Sequence, residues 1–342
     1  MSRHVNIPVF IPHLGCPNQC VFCNQRTISG VSEFDPDNLT EIIETALSTT
    51  LPDDEIEIAF FGGSFTGIDR SLMTRLLDIA YAYIREGKVM SIRCSTRPDY
   101  INKEILSILK ARGVKHIELG LQSTSDRVLD ICKRGHTAED EMAACKMIVD
   151  EGFELIGQMM IGLPGATLCD ELETAKFIIE CGASGARIYP TIVFRGTELC
   201  DMACKGNYSP LSVEEAVERS AKVYSLFFEN KINVIRIGLC SSENLSSDQT
   251  YYSGPNHPAL GEMVINRFYF DKMYEKAIAK SPDRSDILKF KVAKGCLSKA
   301  IGQKKINKHL LKKELSCKDV LFEETEGLTD GELLLEIYSG EK

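Results

Sequence analysis

The sequence predicts an α/β fold: a partial (β/α)6 TIM-like barrel followed by a small basic α+β extension. Three observations predict it. Strand-like and helix-like patterns alternate six times between Val5 and Pro190. Almost every unusual motif directly follows one of the strand-like segments, where barrels of this kind build their active sites. Charge is segregated as well: from Lys289 to Lys313 there are nine lysines and no carboxylate, in a chain of 342 residues with a net charge of −9.

The elements can be justified in chain order. "VNIPVFI" reads as the first strand and leads into a cysteine-rich loop; a helix follows over Leu39 to Ser48. "IEIAFF" is the second strand, and "RSLMTRLLDIAYAYIREG" a helix stopped by Gly87. "VMSIRC", "KHIELGL", "ELIGQMMIG" and "ARIYP" supply four further strands, with helices over Lys103 to Ala111, Ala138 to Asp150 and Asp170 to Ile179 between them. Repeated strand–helix units of this length need crossover connections, hence a parallel sheet closed or nearly closed into a barrel. The expected division is a barrel over 1–240, a connecting or capping segment over 241–280 and a small basic unit over 281–342.

A chain of this size with 44% hydrophobic residues can bury one large core and a smaller appended one. "MSRHVNIPVF" lacks the apolar stretch of a signal peptide, and no apolar run approaches the roughly 18 residues of a membrane span. A cytoplasmic protein with no membrane partner is the expectation. The 13 cysteines are odd in number, scattered and set within apolar patterns, which suits a reducing compartment rather than a disulfide scaffold. Cys200 and Cys204, four apart in a helix-like segment, read as buried thiols.

"CPNQCVFC" places Cys16, Cys20 and Cys23 within eight positions. Gly15 frees the backbone before it, and Pro17, Asn18 and Gln19 make the segment a turn. Two metal chemistries fit. Zinc would take His13 as fourth ligand. An iron–sulfur cluster would be held by the three thiolates and keep one iron open for a ligand. The companion loops are "GGSFTG" after the second strand, "STRPD" after the third, "GLQS" at the fourth, "GLPG" after the fifth and "YPT" after the sixth.

Cys-x3-Cys-x2-Cys with Phe22 before the last cysteine resembles the signature of the radical S-adenosylmethionine superfamily. The resemblance implies a 4Fe-4S cluster on Cys16, Cys20 and Cys23, with the open iron chelating S-adenosylmethionine. When reduced, such a cluster cleaves that cofactor to an adenosyl radical that abstracts hydrogen from a substrate. It further implies that Gly62 and Gly63 meet the methionyl amino group, that Arg134 binds the carboxylate, and that Phe22, Ser64, Ser95, Gln122 and Gln158 complete the cofactor contacts. Arg187, Tyr189 and Arg195, near the sixth strand, would face substrate.

Longer stretches are closer still to one branch. "STRPDYI", "IELGLQS", "KRGHT", "GFELIGQMMIGLPG" and "RIYPTIVFRGTEL" resemble the radical domain of the catalytic subunit of Elongator, over about Ile7 to about Leu239. That family modifies C5 of the tRNA wobble uridine, using acetyl-CoA bound by a C-terminal acetyltransferase domain. Several features depart from it. The gap between the first two cysteines is shorter, Ser95 stands for a glutamate, and Gln158 and Arg187 replace histidine and lysine. Roughly 100 residues follow Leu239, the low end of the domain range. The expectation is thus a short relative without the acetyltransferase domain.

The tail "KFKVAKGCLSKAIGQKKINKHLLKKELSCKDVLFEE" reads as strand, helix, loop, helix, strand, and resembles a KH module in which "GQKK" keeps one glycine of the GXXG clamp. Its lysines, Lys289 to Lys313, favour phosphate and suggest tRNA as partner, bound there and at the barrel mouth. "GPNHPALGEMV" suggests a cap with His257 in it. An electron donor such as flavodoxin or ferredoxin is implied by the resemblance. Two other functions compete with tRNA modification: a radical oxidase or decarboxylase acting on a small molecule, and an RNA-binding protein whose metal is structural zinc or whose cluster senses redox state.

Overall fold

The structure is a computed structural model that describes residues 3–11, 16, 20–24, 34–239 and 247–339. Contacts divide the chain into one unit of 1–212 with 226–256, and a second of 213–225 with 257–342.

The first unit is built on a seven-stranded sheet in the order β1 (His4–Phe10), β2 (Glu55–Phe61), β3 (Ser91–Thr96), β4 (Val114–Gln122), β5 (Glu154–Ile161), β6 (Gly185–Pro190) and β8 (Asn233–Ile237). Every neighbouring pair is parallel. The crossovers carry α1 (Leu39–Leu47), α2 (Arg70–Arg85), α3 (Lys103–Ala111), α4 (Asp126–Ile131), α5 (Ala138–Asp150) and α6 (Leu168–Glu180). The sheet is a partial barrel with β1 and β8 as its edges. The expected six strand–helix units are present, and the seventh strand, "NVIRI", is an addition to the sequence reading. It is an edge strand whose residues are at best half-buried, so it lacks the apolar run that marked the others.

Local sequence explains where the helices begin. Asp69 accepts a hydrogen bond from Leu72 N at 2.9 Å and Asn102 from Ile105 N at 2.9 Å, each satisfying a donor that the first helical turn leaves unpaired. Thr137 with Asp140 and Thr167 with Asp170 form two capping boxes.

Strand residues alternate between two faces, and the two faces differ in chemistry. Ile58, Phe60, Ile92, Cys94, Ile117, Leu119, Leu155, Met159, Ala186 and Ile188 are all buried on one. The opposite face carries Glu57, Arg93, His116, Glu118, Gln158, Arg187 and Tyr189. Burial pushes the Cys94 thiol up to about 12, so it acts as a small apolar residue. Between β6 and β8 the chain forms β7 (Val193–Phe194), α7 (Glu198–Cys204) and α8 (Val213–Glu229); β7 pairs antiparallel with β9 (Tyr251–Ser253). Cys200 is buried on α7, but Cys204 is exposed, correcting the expectation of two buried thiols; α7 is short and only one of its faces packs inward.

In the second unit, α9 (Leu260–Ile278), α10 (Leu297–Ile301) and α11 (Ile306–Glu314) accompany a sheet in the order β11 (Asp319–Thr325), β10 (Ile287–Ala293), β12 (Leu333–Tyr338). β10 runs parallel to β11 and antiparallel to β12. By its contacts α9, placed by sequence in a connecting segment, is part of this unit. Phe268, Tyr269, Met273, Leu288, Phe290, Val292, Leu311 and Val320 form its core. His257 is exposed, and its Nδ1 accepts from Ala259 N at 3.1 Å. The loop after Gly302 holds Lys304 and Lys305 at φ +50° and +62°, and both are exposed.

Several lysines of the basic run find carboxylates from outside it. Lys289 pairs with Glu323, Lys291 with Glu336, Lys299 with Asp330 at 2.7 Å and Lys308 with Asp319 at 3.1 Å. Among the described residues, no helix is long and apolar enough to cross a membrane.

Candidate cofactor site

The polar face of the first unit carries a ladder of charge. Glu57 on β2 receives Arg93 Nη2 at 2.7 Å, His116 Nδ1 at 2.6 Å and a hydrogen bond from Ser91. Burial alone would raise its pKa, but the His116 and Ser91 hydrogen bonds and the Arg93 charge outweigh it and hold the carboxyl at about 2. Glu118 on β4 receives Arg93 Nη1 at 2.9 Å, Gln158 Nε2 at 2.8 Å and Arg187 Nη2 at 2.8 Å. Arg187 also reaches Tyr189 Oη at 3.2 Å and stands 5.6 Å above the Phe61 ring. Its Nε is buried and lacks a hydrogen-bond partner.

At the C-terminal ends of the strands, three loops converge on the cysteine segment. Cys16 Sγ donates to the buried Ser64 Oγ at 3.6 Å. Cys20, 8% exposed, receives Arg134 Nη1 at 3.3 Å and Arg97 Nη1 at 3.7 Å on its sulfur. Cys23 N bonds Cys20 O at 3.0 Å, closing a turn. The segment is pinned on both sides, Val21 N donating to Cys132 O at 3.2 Å and Leu199 N to Val21 O at 2.8 Å.

Backbone shape at the rim is unusual in two places. Gly62 has φ +100°, and a Cβ there would meet Ile11 N at 3.0 Å, so the strand ends approach as only glycine allows. Gln122 has φ +73°, at a register shift between β4 and β5. A bulge that forces a non-glycine residue into the left-handed region re-aims a side chain at a cost, a feature that clusters at functional sites. Its Oε1 is buried without a hydrogen-bond partner.

The structure therefore brings Cys16, Cys20, Ser64 and Arg134 together at the strand ends, with Gly62 in an adjoining loop and Gln122 at the end of β4. Phe22 packs half-buried against the cluster of Val21, Cys132 and Leu199. Gly63 and Ser95 are half-buried, the latter on β3 opposite Glu118. Gln158, Arg187 and Tyr189 belong to the polar ladder. Arg195 stands elsewhere: exposed beyond β7, its Nε donates to Asp248 O at 2.9 Å, and it lies 5.4 Å over Tyr252. His13, Gly15 and the Pro17, Asn18 and Gln19 turn lie outside the described residues.

Sequence reasoning missed Arg97, Asp99, His136 and Glu141. Arg97 Nε and Nη2 bond the Asp99 carboxylate at 2.9 and 3.0 Å, and Nη2 approaches His136 Nδ1 at 3.3 Å. His136 Nε2 meets Glu141 Oε1 at 3.0 Å, both side chains being fully buried. Burial raises Asp99 less than the His136 and Arg97 hydrogen bonds lower it, leaving its pKa at about 2; burial pushes Glu141 up to about 7. "TRPD" and "KRGHT" were the available signals, since they put two arginines after two successive strands.

Residues 10–178 match the radical SAM superfamily, and 183–269 match its C-terminal domain. An uncharacterized protein of Methanocaldococcus jannaschii is 31% identical over 224 residues, covering 62% of this chain and 68% of that protein. The chain belongs to the radical SAM superfamily. It is an enzyme of that superfamily, whose cofactors are S-adenosylmethionine and a 4Fe-4S cluster. The tRNA uridine(34) acetyltransferase of the same organism is 30% identical over 247 residues, 59% of this chain and 45% of that one. Human Elongator complex protein 3 is 33% identical over 142 residues, 41% of this chain and 26% of that one. The chain thus spans less than half the length of the curated acetyltransferase it matches. The solved structure of Methanocaldococcus infernus Elp3 with an N-terminal deletion superposes with a TM-score of 0.61 at 23% identity, over 81% of this chain and 64% of that one, and shares the fold.

The donor set suits these cofactors. A buried sulfur facing two guanidinium groups is an environment for a negatively charged thiolate ligand rather than an apolar thiol. The unpartnered Gln122 Oε1 is an acceptor for a donor on a bound molecule.

Proposed function

We propose that the protein is a radical enzyme that modifies a tRNA uridine, with Cys16, Cys20 and Cys23 holding the cluster. The observation that carries this reading is the convergence of Ser64, Arg97 and Arg134, from three different strand-end loops, on the first two of those cysteines. The reduced cluster with S-adenosylmethionine supplies a 5′-deoxyadenosyl radical.

The chain's own residues would do the rest. Gly62 lets backbone donors approach the methionyl end. Gln122, through its unpartnered acceptor, and Gly63 would orient that moiety, with Ser64 beside Cys16. Phe22 and the surrounding apolar cluster exclude water from the cysteine turn. On the polar face, Arg187 and Tyr189 would meet the substrate's acceptor atoms, the free Arg187 Nε being the available donor. Ser95 and Gln158 would line the same face. Arg134 reaches Cys20 with one nitrogen and Gly120 O with another, so a cofactor carboxylate would have to share it. Arg195, exposed beside Tyr252, would contact substrate outside the sheet.

The tRNA assignment rests on the likeness to the uridine(34) acetyltransferases. The basic run adds less than its lysine count implies, because five of its nine lysines are paired, with Glu323, Glu336, Asp330, Asp319 and Glu314. Phosphate contacts in the second unit would come chiefly from Lys304 and Lys305. The same pairing favours a second reading, radical chemistry on a small molecule. Flavodoxin or ferredoxin would serve as electron donor.

The test is anaerobic. Protein reconstituted with iron and sulfide is given S-adenosylmethionine and dithionite, and 5′-deoxyadenosine is measured with and without bulk tRNA. Its formation, stimulated by tRNA, supports the reading; formation unaffected by tRNA favours a small-molecule substrate. Absence of product from protein with a verified cluster refutes radical chemistry. Cys16→Ala, Cys20→Ala and Cys23→Ala should each lose the cluster, whereas His13→Ala should keep it and so exclude zinc.

A further inference from the structure

Cys20 differs from its companions in what surrounds its sulfur. Arg134 Nη1 at 3.3 Å and Arg97 Nη1 at 3.7 Å both reach it, and the two arginines are only 5% and 4% exposed. Neither is free to swing away. Arg134 is fixed by a hydrogen bond from Nη2 to Gly120 O. Arg97 is fixed by a two-pronged bond to Asp99 and by Nη2 donating to Arg134 O, with His136 Nδ1 3.3 Å from the same Nη2. His136 is itself held by Glu141 on α5. Two cations held so close to one another, in a site nearly closed to water, repel each other. Asp99 answers Arg97, and both guanidinium groups turn an N–H on the Cys20 sulfur.

We infer that Arg97 and Arg134 form a cationic clamp on the Cys20 sulfur that stabilises the reduced form of the cluster, with Asp99, His136 and Glu141 as positioning residues for Arg97. One-electron reduction adds one negative charge to a cluster already carrying thiolate charge. Fixed positive charge and hydrogen bonds at a ligating sulfur favour that added electron, as they do at iron–sulfur centres generally. The electron comes from an external one-electron reductant, and no bond to Cys20 forms or breaks. Burial matters to the size of the effect, because water would otherwise screen both arginines. The inference rests on Cys20 being a cluster ligand, which Cys20→Ala tests separately: loss of iron in that variant upholds the ligand assignment whatever the arginines do, and full iron in it removes the basis of the clamp.

The experiment is a dithionite titration of the reconstituted protein, followed by electron paramagnetic resonance in the absence of S-adenosylmethionine, so that any role of Arg134 in binding that cofactor does not enter. Arg97→Gln and Arg134→Gln, each checked for wild-type circular dichroism, are compared with Arg97→Lys and Arg134→Lys. The expected result is at least a tenfold fall in the equilibrium constant for reduction in each glutamine variant, about 59 mV for one electron, with partial recovery in the lysine variants. Loaded glutamine variants with an unchanged potential overturn the proposal. If the glutamine variants fold but do not load, the loaded lysine variants decide: a potential below wild type upholds the clamp, and a wild-type potential overturns it. If the lysine variants also fold without loading, the arginines act through shape and the proposal fails.

Discussion

Glu118 on β4 reaches across β5 to Arg187 on β6, its Oε1 lying 2.8 Å from Arg187 Nη2, so that a single carboxylate ties alternate strands of the sheet. The same carboxylate takes Arg93 from β3 and Gln158 from β5. Glu118→Gln would leave buried Arg187 short of its counter-charge, while Arg93 keeps Glu57. Uncompensated buried charge typically costs about 3–5 kcal/mol. The variant should lose about that much in urea unfolding, and Glu118→Gln combined with Arg187→Met should recover part of it. A single variant within about 0.5 kcal/mol of wild type would show that the ladder contributes little to stability.

Glu57 gives a pH dependence with a definite sign. Its carboxyl is held at about 2 in the folded chain against an ordinary value of 4.5. The stabilisation is fully present above 4.5 and is lost as pH falls from there toward 2, because only the unfolded chain takes up the proton in that window. By linkage the loss is on the order of 3 kcal/mol. Urea midpoints at about pH 5 and about pH 3 should converge in Glu57→Gln and diverge in wild type; parallel curves would contradict this assignment.

Gly62→Ala should be costly for two reasons, and Gly87→Ala separates them. Both glycines have positive φ, +100° and +72°, but an added Cβ meets backbone Ile11 N at 3.0 Å at the first and nothing within 4 Å at the second. Strain of φ alone costs about 1 kcal/mol or somewhat more. Thermal melts should show the Gly62 variant clearly less stable than the Gly87 variant. Equal losses would mean that the approach of β1 and β2 yields easily.

Tyr269 tests the second unit. Its buried hydroxyl donates to Asp330 Oδ1 at 2.5 Å and accepts from Gly331 N at 3.0 Å. Tyr269→Phe leaves both groups without that partner, a loss of about 1–3 kcal/mol. Hydrogen exchange should speed up in β12 and α9 while amides of β4 and β5 keep their protection. Uniform acceleration along the chain would argue against a local role.

Where physics is local, the sequence was informative. Helices over 103–111 and 138–150 were legible to the residue, because Asn102 and Thr137 cap them and apolar periodicity fills them. The cysteine spacing and the glycine after β2 pointed to the site, since both are constraints on consecutive residues. What escaped depended on partners distant in the chain. Arg97 carries no signal of its own within "STRPD", and the resemblance assigns Arg134 to a cofactor carboxylate; only the fold sets both on Cys20, 77 and 114 residues away. The resemblance marks Gln122 as a cofactor contact, but no sequence signal announces its left-handed backbone, which lies at the register shift against β5. The lysine run showed no carboxylate within its own window because its counter-charges sit on the neighbouring strands β11 and β12 and in the turns beside them.

Those pairings bear on how binding to a polyanion would respond to ionic strength. A lysine already neutralised by a carboxylate displaces no condensed cation when a phosphate arrives, so only the lysines without an ion pair count. Within the run these are Lys294, Lys304, Lys305 and Lys312. Any association through this run alone should therefore weaken with a logarithmic salt slope no steeper than about −4, about half of what nine lysines would produce, which leaves the run a short-reach handhold on a nucleic acid rather than an extended basic groove.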